Sequence, residues 1–549
     1  QDIVHSSNPN RELPPLRCHY IHRSLAVPAR LSSMTSALAS WSDVKGLCEW
    51  IAEMCSSRLK DVPIAQPSFR TSILVTTGSW CLLTSIRRWW RYRNLPPCVR
   101  FFFVRDLLMF IRNPVEFYKA RSKQFGGTCI IAGLEGPEVM LEASVSNMKL
   151  ITSCVDLGWP AHFKKLVGEA SLPMVNGKEH QRQKALAKRG LTQEVIDSFL
   201  PIIQKFTMEH MTRWTAFEEV QPMRYHIKLM AFTIAQELVL GGQKPEDEVD
   251  YIMGLFHSVI HDGFQSLLPI DFPGFPFRKC MNDRRKLGQI YQETIDAKRA
   301  SPTSPPTCSL DHILAGGDAD GKPPSDKELQ DFVFAMIFAG HDTVLGFMQS
   351  ALHYLAVEPE VHAELRKELD ASWDGSSPIT RDLMLGMSKC RAFLAEVLRH
   401  DSPVVSVLRK LSKDTVVDGY HLPAGMKLVY PISLGYRSKY PDESINLKNW
   451  LDDKGKYVDK VYDFGSFLAF GTGSRMCIGY KFAEEVALVF LMCCIRNFEL
   501  FVDEHTLQPF PIRCWKVSAQ FQARKVGSQT AAAPSTPQGS HQKEGCVTF

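Results

Sequence analysis

The chain has 549 residues, of which 45% are hydrophobic and 22% are charged, as is ordinary for a globular protein. Its formal net charge of +5 is small for this length and gives no case for nucleic-acid binding. The 15 cysteines are scattered, without a CxxC pair or a Cys/His zinc pattern. This usage indicates a reducing compartment rather than a disulfide-stapled secreted protein.

The N-terminal region differs in pattern from the rest of the chain. Residues 1–70 are predicted to be a leader of low order, and residues 1–33, before Met34, are either transit-like or translated upstream sequence. Residues 71–94 hold a candidate membrane anchor, since 71–86 are uncharged and apolar and 87–93 are basic and aromatic. The stretch is shorter than the roughly 20 residues of a full span. A buried or interfacial helix fits it equally well.

Residues 95–524 are predicted to form one mainly α domain with a small β-sheet region, after a stiff Leu-Pro-Pro break. Strand-like runs occur at residues 128–131, 138–141, 415–417 and 427–430. Helical patterns cover residues 194–237, 248–264, 282–299, 327–357 and 360–369. Residues 525–549 are rich in Ser, Gly, Gln, Ala and Pro, which predicts a disordered tail.

The longest predicted helix is central, and a Ser-x-x-Glu capping box begins it at residue 325. Its middle reads Ala339-Gly340-His341-Asp342-Thr343. Small residues let a helix approach a flat cofactor, and Gly340 weakens the helix so that it can bend. Asp342 and Thr343 supply the acid and the hydroxyl that proton delivery requires. A mid-helix Ala-Gly pair is more often a packing feature, so this motif alone is weak support for catalysis.

A later helix carries Glu396 and Arg399, whose spacing places them on one face, where they can form an ion pair. Most such pairs are solvated and contribute little to stability. Here the flanking residues, such as Phe393 and Leu398, are apolar. The pattern therefore favours a buried, structural pair.

Residues 470–479 (FGTGSRMCIG) are the most informative stretch, because they fix one cysteine between glycines just before an apolar helical run. This arrangement indicates that Cys477 is a thiolate ligand to a heme iron, since a helix N-terminus stabilises a thiolate. Gly473 and Gly479 are expected to adopt backbone conformations that a side chain would forbid. Arg475 is expected to reach a heme propionate. For Cys477 alone, a buried helical cysteine is the simpler interpretation.

Together these motifs resemble those of the cytochrome P450 superfamily, whose heme-binding signature is matched by Phe470, Gly473, Arg475, Cys477 and Gly479. The motif at residues 339–343 matches the family's oxygen-activating helix, and the pair at 396 and 399 matches its ExxR motif. A third arginine completes that motif in the family. Asn449 stands at its place here, so an amide can bridge by hydrogen bonds but the charge is absent.

The resemblance also implies a clamp for the heme propionates. His180 and Lys184 resemble the family's Trp/His-x-x-x-Arg segment, with lysine in place of arginine. Arg409 matches the basic residue that follows the ExxR helix, and it would act with Arg475. For His180 and Lys184 taken alone, a solvated helix face is the simpler interpretation.

The resemblance implies a helical prism around one heme b, with Cys477 as the axial iron ligand. It implies a heme-thiolate monooxygenase that uses O₂ and electrons from a redox partner. One alternative is an O₂-independent isomerase or dehydratase of lipid hydroperoxides, which the presence of Asp342 and Thr343 argues against. A non-catalytic heme sensor is another alternative, although a sensor needs no proton relay.

The region at residues 267–299 resembles that of sterol- and retinoid-metabolising family members. This likeness favours an apolar substrate, such as a sterol, an isoprenoid or another lipid. The expected location is the cytosolic face of the endoplasmic reticulum membrane, with a flavoprotein reductase as electron donor. A plastid or mitochondrial location would instead imply a ferredoxin.

Overall fold

The computed structural model describes residues 95–98, 103–133, 136–263, 269–316, 323–437, 440, 442–460, 468–508 and 513–524. The predicted leader, the candidate anchor with its basic boundary and the predicted tail (residues 1–70, 71–94 and 525–549) lie outside the described residues.

Helices make up most of the described chain, as predicted. They are α1 (Phe103–Arg112), α2 (Pro114–Phe125), α3 (Val145–Ser153), α4 (Ala161–Val167), α5 (Gly177–Arg189), α6 (Gln193–Trp214), α7 (Met223–Leu240), α8 (Glu246–His257), α9 (Pro276–Ala300), α10 (Ser309–Leu314), α11 (Asp326–Val357), α12 (Pro359–Ser372), α13 (Arg381–Gly386), α14 (Ser388–His400), α15 (Ile432–Arg437) and α16 (Tyr480–Asn497). A π-helical turn, Ser258–Asp262, extends α8, and 3₁₀ turns lie at Leu447–Trp450 and Gly473–Arg475.

The strands form three small sheets. The strands are β1 (Cys129–Gly133), β2 (Gly136–Met140), β3 (Gln221–Pro222), β4 (Ser406–Lys410), β5 (Thr415–Val417), β6 (Tyr420–Leu422), β7 (Lys427–Pro431), β8 (Phe498–Gln508) and β9 (Cys514–Ala523). One sheet has the order β1-β2-β7-β4, a second β3-β9-β8, and β5 pairs with β6. The β2–β7 pair is parallel and the other pairs are antiparallel.

The central helix α11 runs through the core and contacts α7, α9, α14 and α16. Ser325 caps its N-terminus in the predicted capping box with Glu328. Of the helices in the described ranges, α11 alone is long and apolar enough to cross a membrane, but 67% of its most apolar window is buried in protein. Its apolar character is thus explained by its position in the core.

Most predicted elements are present, and one helix prediction is wrong. The four strand-like runs correspond to β1, β2, β5 and β7. The continuous helix expected over residues 194–237 is interrupted, because α6 ends at Trp214 and α7 begins at Met223. Pro222, at the N-cap of α7, has no N–H to continue a helix, and Gln221 and Pro222 pair with β9 instead. The long β8–β9 hairpin was not predicted.

Candidate functional site

A cavity of about 590 Å³ lies between the residue 470–479 loop and the middle of α11. The loop contributes Phe470 and Cys477 to its wall, and α11 contributes Ala339, Gly340 and Thr343. The cavity therefore joins the two motifs that the sequence analysis placed at one site. Its volume is within the range of small-molecule and cofactor sites.

The loop holds Cys477 at the cavity surface just before α16. The Cys477 N–H donates to the Phe470 carbonyl at 2.8 Å, which closes the loop upon itself. The side chain is exposed, and it is exposed to this cavity. Burial within the surrounding protein raises the pKa of the Cys477 thiol, while the Gly479 N–H opposes that shift. A metal cation is what would favour the thiolate here, because binding displaces the proton.

The two glycines of the loop serve different purposes. Gly473 has φ +68°, and a Cβ built on it would lie 2.6 Å from the Thr152 carbonyl oxygen. Both observations require glycine, as predicted. Gly479 has φ −95°, which any residue adopts, so the prediction of a special backbone conformation is wrong there. A Cβ on Gly479 would meet nothing within 4 Å, and the residue lines the cavity.

Arg409 and Arg475 line the cavity beside the loop. Arg409 is only 3% exposed, and its guanidinium donates to the carbonyls of Ile151, Leu408 and Thr472 at 2.8–3.3 Å. Burial, with repulsion from Arg475, lowers the pKa of Arg409 to about 10. Arg475 is half-buried and donates to the carbonyls of Val155, Leu172 and Val175 and to the Asn176 side chain.

His180 and Lys184 lie on α5, near Arg475. His180 is buried, and desolvation with repulsion from Arg475 and Lys184 lowers its pKa to about 4. Lys184 donates to the Ser474 carbonyl at 2.5 Å, and desolvation lowers its pKa. Lys184 thus contacts the loop and His180 interacts electrostatically with Arg475, although neither residue lines the cavity in the described part of the chain.

This group of cations fits an anionic ligand. Within the described residues, neither Arg409 nor Arg475 forms an ion pair, although Asp156 lies near enough to attract Arg475. Both guanidiniums donate mainly to carbonyls. Neighbouring buried cations are costly unless negative charge accompanies them. The two propionates of a heme would supply that charge beside Cys477, and a thiol is a soft ligand suited to iron. The residues present therefore fit a heme.

Thr343 faces the cavity from α11. Its hydroxyl donates to the Ala339 carbonyl at 2.6 Å, the hydrogen bond to the preceding turn expected of a helical threonine. The helix continues without interruption from Asp326 to Val357, so Gly340 does not break it. A Cβ on Gly340 would make ordinary contacts with Phe482 and Ala235.

Asp342 is the buried member of the acid–hydroxyl pair, with 2% of its surface exposed. Its carboxylate lies 3.5 Å from Lys228 Nζ, 3.3 Å from His261 Nε2 and 3.4 Å from His341 Nε2. Burial raises the pKa of Asp342, but the attraction of these neighbours outweighs burial and holds the pKa well below its usual range. The Asp342 carboxyl is therefore ionised at neutral pH, and its predicted part in proton delivery stays a prediction.

Glu396 and Arg399 form the ion pair that their spacing predicts. The two side chains are buried and share two hydrogen bonds of 2.8 Å. Glu396 also accepts from Trp450 Nε1 at 2.6 Å and from Asn449 Nδ2 at 3.3 Å. Arg399 donates to the carbonyls of the segment that follows, at Tyr440, Asp442 and Ser444. Asn449 thus contacts the pair as a hydrogen-bond donor without adding a charge.

The family model of cytochrome P450 matches residues 106–521. This chain belongs to the cytochrome P450 family. The P450 is 24% identical over 425 residues to the taxane 13-alpha-hydroxylase of Taxus cuspidata, covering 74% of this chain and 86% of that one. It is 23% identical to the beta-amyrin 11-oxidase of Glycyrrhiza uralensis, covering 79% and 90%. Its fold matches that of retinoic acid bound cyanobacterial CYP120A1 with a TM-score of 0.68, 23% identity and coverage of 76% and 96%.

These matches confirm three predictions, namely the family, the mainly α fold and the class of enzyme. The protein is a cytochrome P450 monooxygenase, and its family uses a heme iron, O₂ and a redox partner. Two residues of the site were missed from the sequence, Lys228 and His261. Lys228 interrupts the apolar run of α7, which was a usable signal, whereas His261 stands in no recognisable motif.

Proposed function

We propose that the cavity binds heme b, with Cys477 as the axial ligand of the iron. The bound heme supplies the site for activating O₂ and for inserting one oxygen atom into a C–H bond. Arg409 and Arg475 line the same cavity and would hold the propionates by charge-assisted hydrogen bonds. Lys184 adds positive charge near Arg475, and the neutral ring of His180 would add a hydrogen bond. Phe470, Gly473 and Gly479 would shape the loop that presents Cys477 to the heme.

The acid–hydroxyl pair of α11 is proposed to manage protons in this cavity. Thr343 exposes its hydroxyl to the cavity while its bond to the Ala339 carbonyl fixes the rotamer. Asp342 also lines the cavity, and its ionised carboxylate can accept a proton and pass it on. The ion pair of Glu396 and Arg399, with Asn449 and Trp450, is proposed to brace the helix that supports the site.

The substrate is proposed to be an isoprenoid lipid, such as a terpenoid or a sterol. The observation that carries this proposal is the lining of the cavity, which contains many apolar and aromatic side chains, among them Phe110, Ile131, Trp159, Phe163, Leu238, Phe338 and Phe347. Such a wall favours a bulky apolar molecule, because each buried apolar group stabilises binding without needing a hydrogen-bond partner. The relatives are named for a taxane, beta-amyrin and retinoic acid, which are all isoprenoids.

Optical titration of the purified ferric protein tests this proposal. Retinoic acid, a diterpene, a triterpene, a sterol and a straight-chain fatty acid are added separately, and the shift of the heme absorption band gives each dissociation constant. We expect tight binding by at least one isoprenoid and weaker binding by the fatty acid. A matched pair of variants, Phe163→Leu and Phe163→Ala, should weaken that binding in order of lost side-chain volume. A shift with the fatty acid alone would contradict the proposal.

The electron donor is proposed to be a flavoprotein reductase, with the P450 on the cytosolic face of the endoplasmic reticulum membrane. Lys184, Lys188, Arg189 and Lys481 lie on helices beside the Cys477 loop, where positive charge would attract an acidic partner. Reversal of Lys188, which is exposed, to Glu should slow reduction and weaken its dependence on salt. An unchanged salt dependence would place the docking surface elsewhere. In a plastid or mitochondrion, a ferredoxin would take the same role.

A further inference from the structure

The ionised Asp342 carboxylate must receive a proton from another group before it can deliver one. A buried carboxylate that is paired with a lysine, and whose pKa is held well below its usual range, does not store a proton at neutral pH. The cavity nevertheless needs a steady supply of protons, because each oxygen insertion consumes them in forming water. A neighbouring group must therefore hand protons to Asp342 or directly to the cavity.

Three side chains contact the carboxylate, and two of them are poorly suited to this task. Lys228 is buried on α7 and does not line the cavity in the described residues, so it serves as the counter-ion. The Nδ1 atom of His341 lies 2.7 Å from the Ile337 carbonyl and must donate to it. The neutral His341 ring therefore has no proton on the Nε2 that faces Asp342. Burial also lowers the pKa of His341 to about 4, so the ring is neutral.

His261 differs from both of these neighbours in its position. It stands on the π-helical turn Ser258–Asp262, and turns of this type often mark functional sites. Its Nε2 lies 3.3 Å from Asp342 Oδ2, and the residue lines the cavity. Its ring stacks on His257, with centroids 4.5 Å apart, and His257 is exposed at the end of α8. His261 thus connects a solvent-exposed imidazole with the buried carboxylate.

Charged groups lie close to both ends of this turn. Asp262 interacts with His261, Lys279 and Asp283. Desolvation of its ring, with repulsion from His261, lowers the pKa of His257 to about 3, so His257 is neutral at pH 7. His261 itself is in contact with Asp342 and His257, and it also interacts with Asp262 and His341.

We propose that His261 delivers protons from solvent to Asp342 and Thr343, with His257 as its solvent-side partner. In each transfer, the Nε2–H of His261 passes its proton to Asp342 Oδ2 while the other ring nitrogen takes up a proton from water at the His257 side. A turn of the ring then returns an N–H to the Asp342 side. Each transfer brings one proton into the cavity and moves no electron. The Asp342 carboxylate is ionised again once the proton has passed on through the Thr343 hydroxyl. Lys228 is a positioning residue that keeps Asp342 charged between transfers.

Deuterium exchange at the imidazole C2 atom, read by mass spectrometry of the heme-loaded full chain, tests the solvent connection without any substrate. This exchange requires a ring that is reached by solvent and transiently protonated. We expect His261 to exchange several-fold faster than His341, which is buried beside the same carboxylate. Asp342→Asn should slow exchange at His261, because the charge that stabilises its cation is removed. Equal rates at His261 and His341 in the wild-type protein would overturn the proposal.

Air oxidation of the dithionite-reduced holoprotein, followed optically in H₂O and D₂O, tests the transfer itself. We expect His261→Gln to slow proton-dependent oxidation by about 10²-fold, the lower end of general acid–base effects, with heme content unchanged. His353→Gln, at a buried histidine elsewhere on α11, is the matched control and should behave as wild type. Wild-type kinetics and isotope effect in His261→Gln would refute the inference.

This inference rests on the proposed role of the acid–hydroxyl pair, Asp342 and Thr343. The same oxidation experiment on Thr343→Ala distinguishes a failure of that role from a failure of the inference. If Thr343→Ala changes the oxidation kinetics and His261→Gln does not, the pair is retained and His261 is rejected. If Lys228→Met slows oxidation while His261→Gln does not, the lysine is the donor and the inference is wrong. If neither Thr343→Ala nor Asp342→Asn changes the oxidation kinetics, the proposed role of the pair is wrong, and the inference about His261 is rejected with it.

Discussion

Cys477 is the residue on which the proposed heme ligation rests. We predict that Cys477→Ser abolishes the red-shifted Soret band of the reduced, CO-bound protein, because a hydroxyl does not replace a thiolate on iron. Cys154→Ser is the matched control, since Cys154 lies close to Arg409 but does not line the cavity. Retention of the band in Cys477→Ser would mean that another cysteine is the ligand.

Asp342 allows a test of the electrostatics of the site through stability. Its pKa is lowered below the usual 3.8, so its stabilising effect is fully present above that pH and is lost as the pH falls through the folded-state pKa. We predict that Asp342→Asn lowers the unfolding free energy at pH 7 by about 3–5 kcal/mol, because the Lys228 cation is left buried and unpaired. The double variant Asp342→Asn with Lys228→Met should recover most of that loss. If thermal unfolding at pH 7 is unchanged in Asp342→Asn, the pair does not hold charge.

The motif residues of this site were predictable and their partners were not, for a physical reason. Cys477 and Thr343 belong to short stretches whose spacing alone indicates chemistry. Lys228 and His261 reach Asp342 from α7 and from the π-helical turn, so only the packing of helices brings them together. The ion pairing of Asp342 follows from that packing, so the sequence alone did not predict it.

Among the elements, the Cys477 loop depends on one glycine and tolerates change at another. We predict that Gly473→Ala destabilises the protein by at least about 1–2 kcal/mol, the cost of a left-handed alanine, with more from the clash with Thr152. Gly479→Ala should leave the unfolding temperature close to wild type, since its φ is ordinary and a Cβ meets no protein atom. Equal destabilisation of the two variants in thermal unfolding would contradict the loop geometry.

The α14 helix is anchored through Glu396, and this anchor predicts unequal effects of two substitutions. Glu396→Gln removes the charge that Arg399 and Trp450 share in a buried site, so we expect a loss of about 3–5 kcal/mol and poor heme retention. Asn449→Ala removes one long hydrogen bond to Glu396 and one to Asp442, and should cost about 1–2 kcal/mol. Heme content and thermal unfolding measure both effects. A larger loss from Asn449→Ala would show that the amide carries the role of the absent arginine.

At the scale of the whole molecule, local patterns predicted the helices and short strands but not their long-range pairing. The capping box and apolar run of α11 defined the core helix correctly. The β8–β9 hairpin lies in a stretch with mixed polarity, and its partner β3 comes from a distant part of the chain. The break after Trp214 results from that same pairing, because Pro222 is held against β9. Tertiary contacts of this kind leave no periodic signal in the sequence.

The boundary of the catalytic domain gives a final prediction about the whole chain. The chain pairs with the first sheet just after residue 95. The Ile130 N–H donates to the Pro97 carbonyl at 2.9 Å, and Cys98 forms an isolated parallel β-bridge with Ile130. We therefore predict that a chain beginning at Leu95 folds and binds heme but partitions less into membranes than the full chain, because it lacks the apolar stretch at residues 71–86 and its basic boundary. The CO-difference spectrum measures folding, and the fraction that sediments with membranes measures attachment.

A full-length variant in which residues 71–86 are replaced by a polar sequence of equal length is the control for chain length, and it should lose membrane attachment to the same extent. If the chain from Leu95 stays fully membrane-bound, the attachment surface belongs to the catalytic domain and the anchor proposal is wrong. If the full chain fractionates with plastids or mitochondria, the segment before Met34 acts as a transit peptide. The electron donor would then be a ferredoxin, and reduction of the P450 by purified ferredoxin and by flavoprotein reductase would distinguish the two.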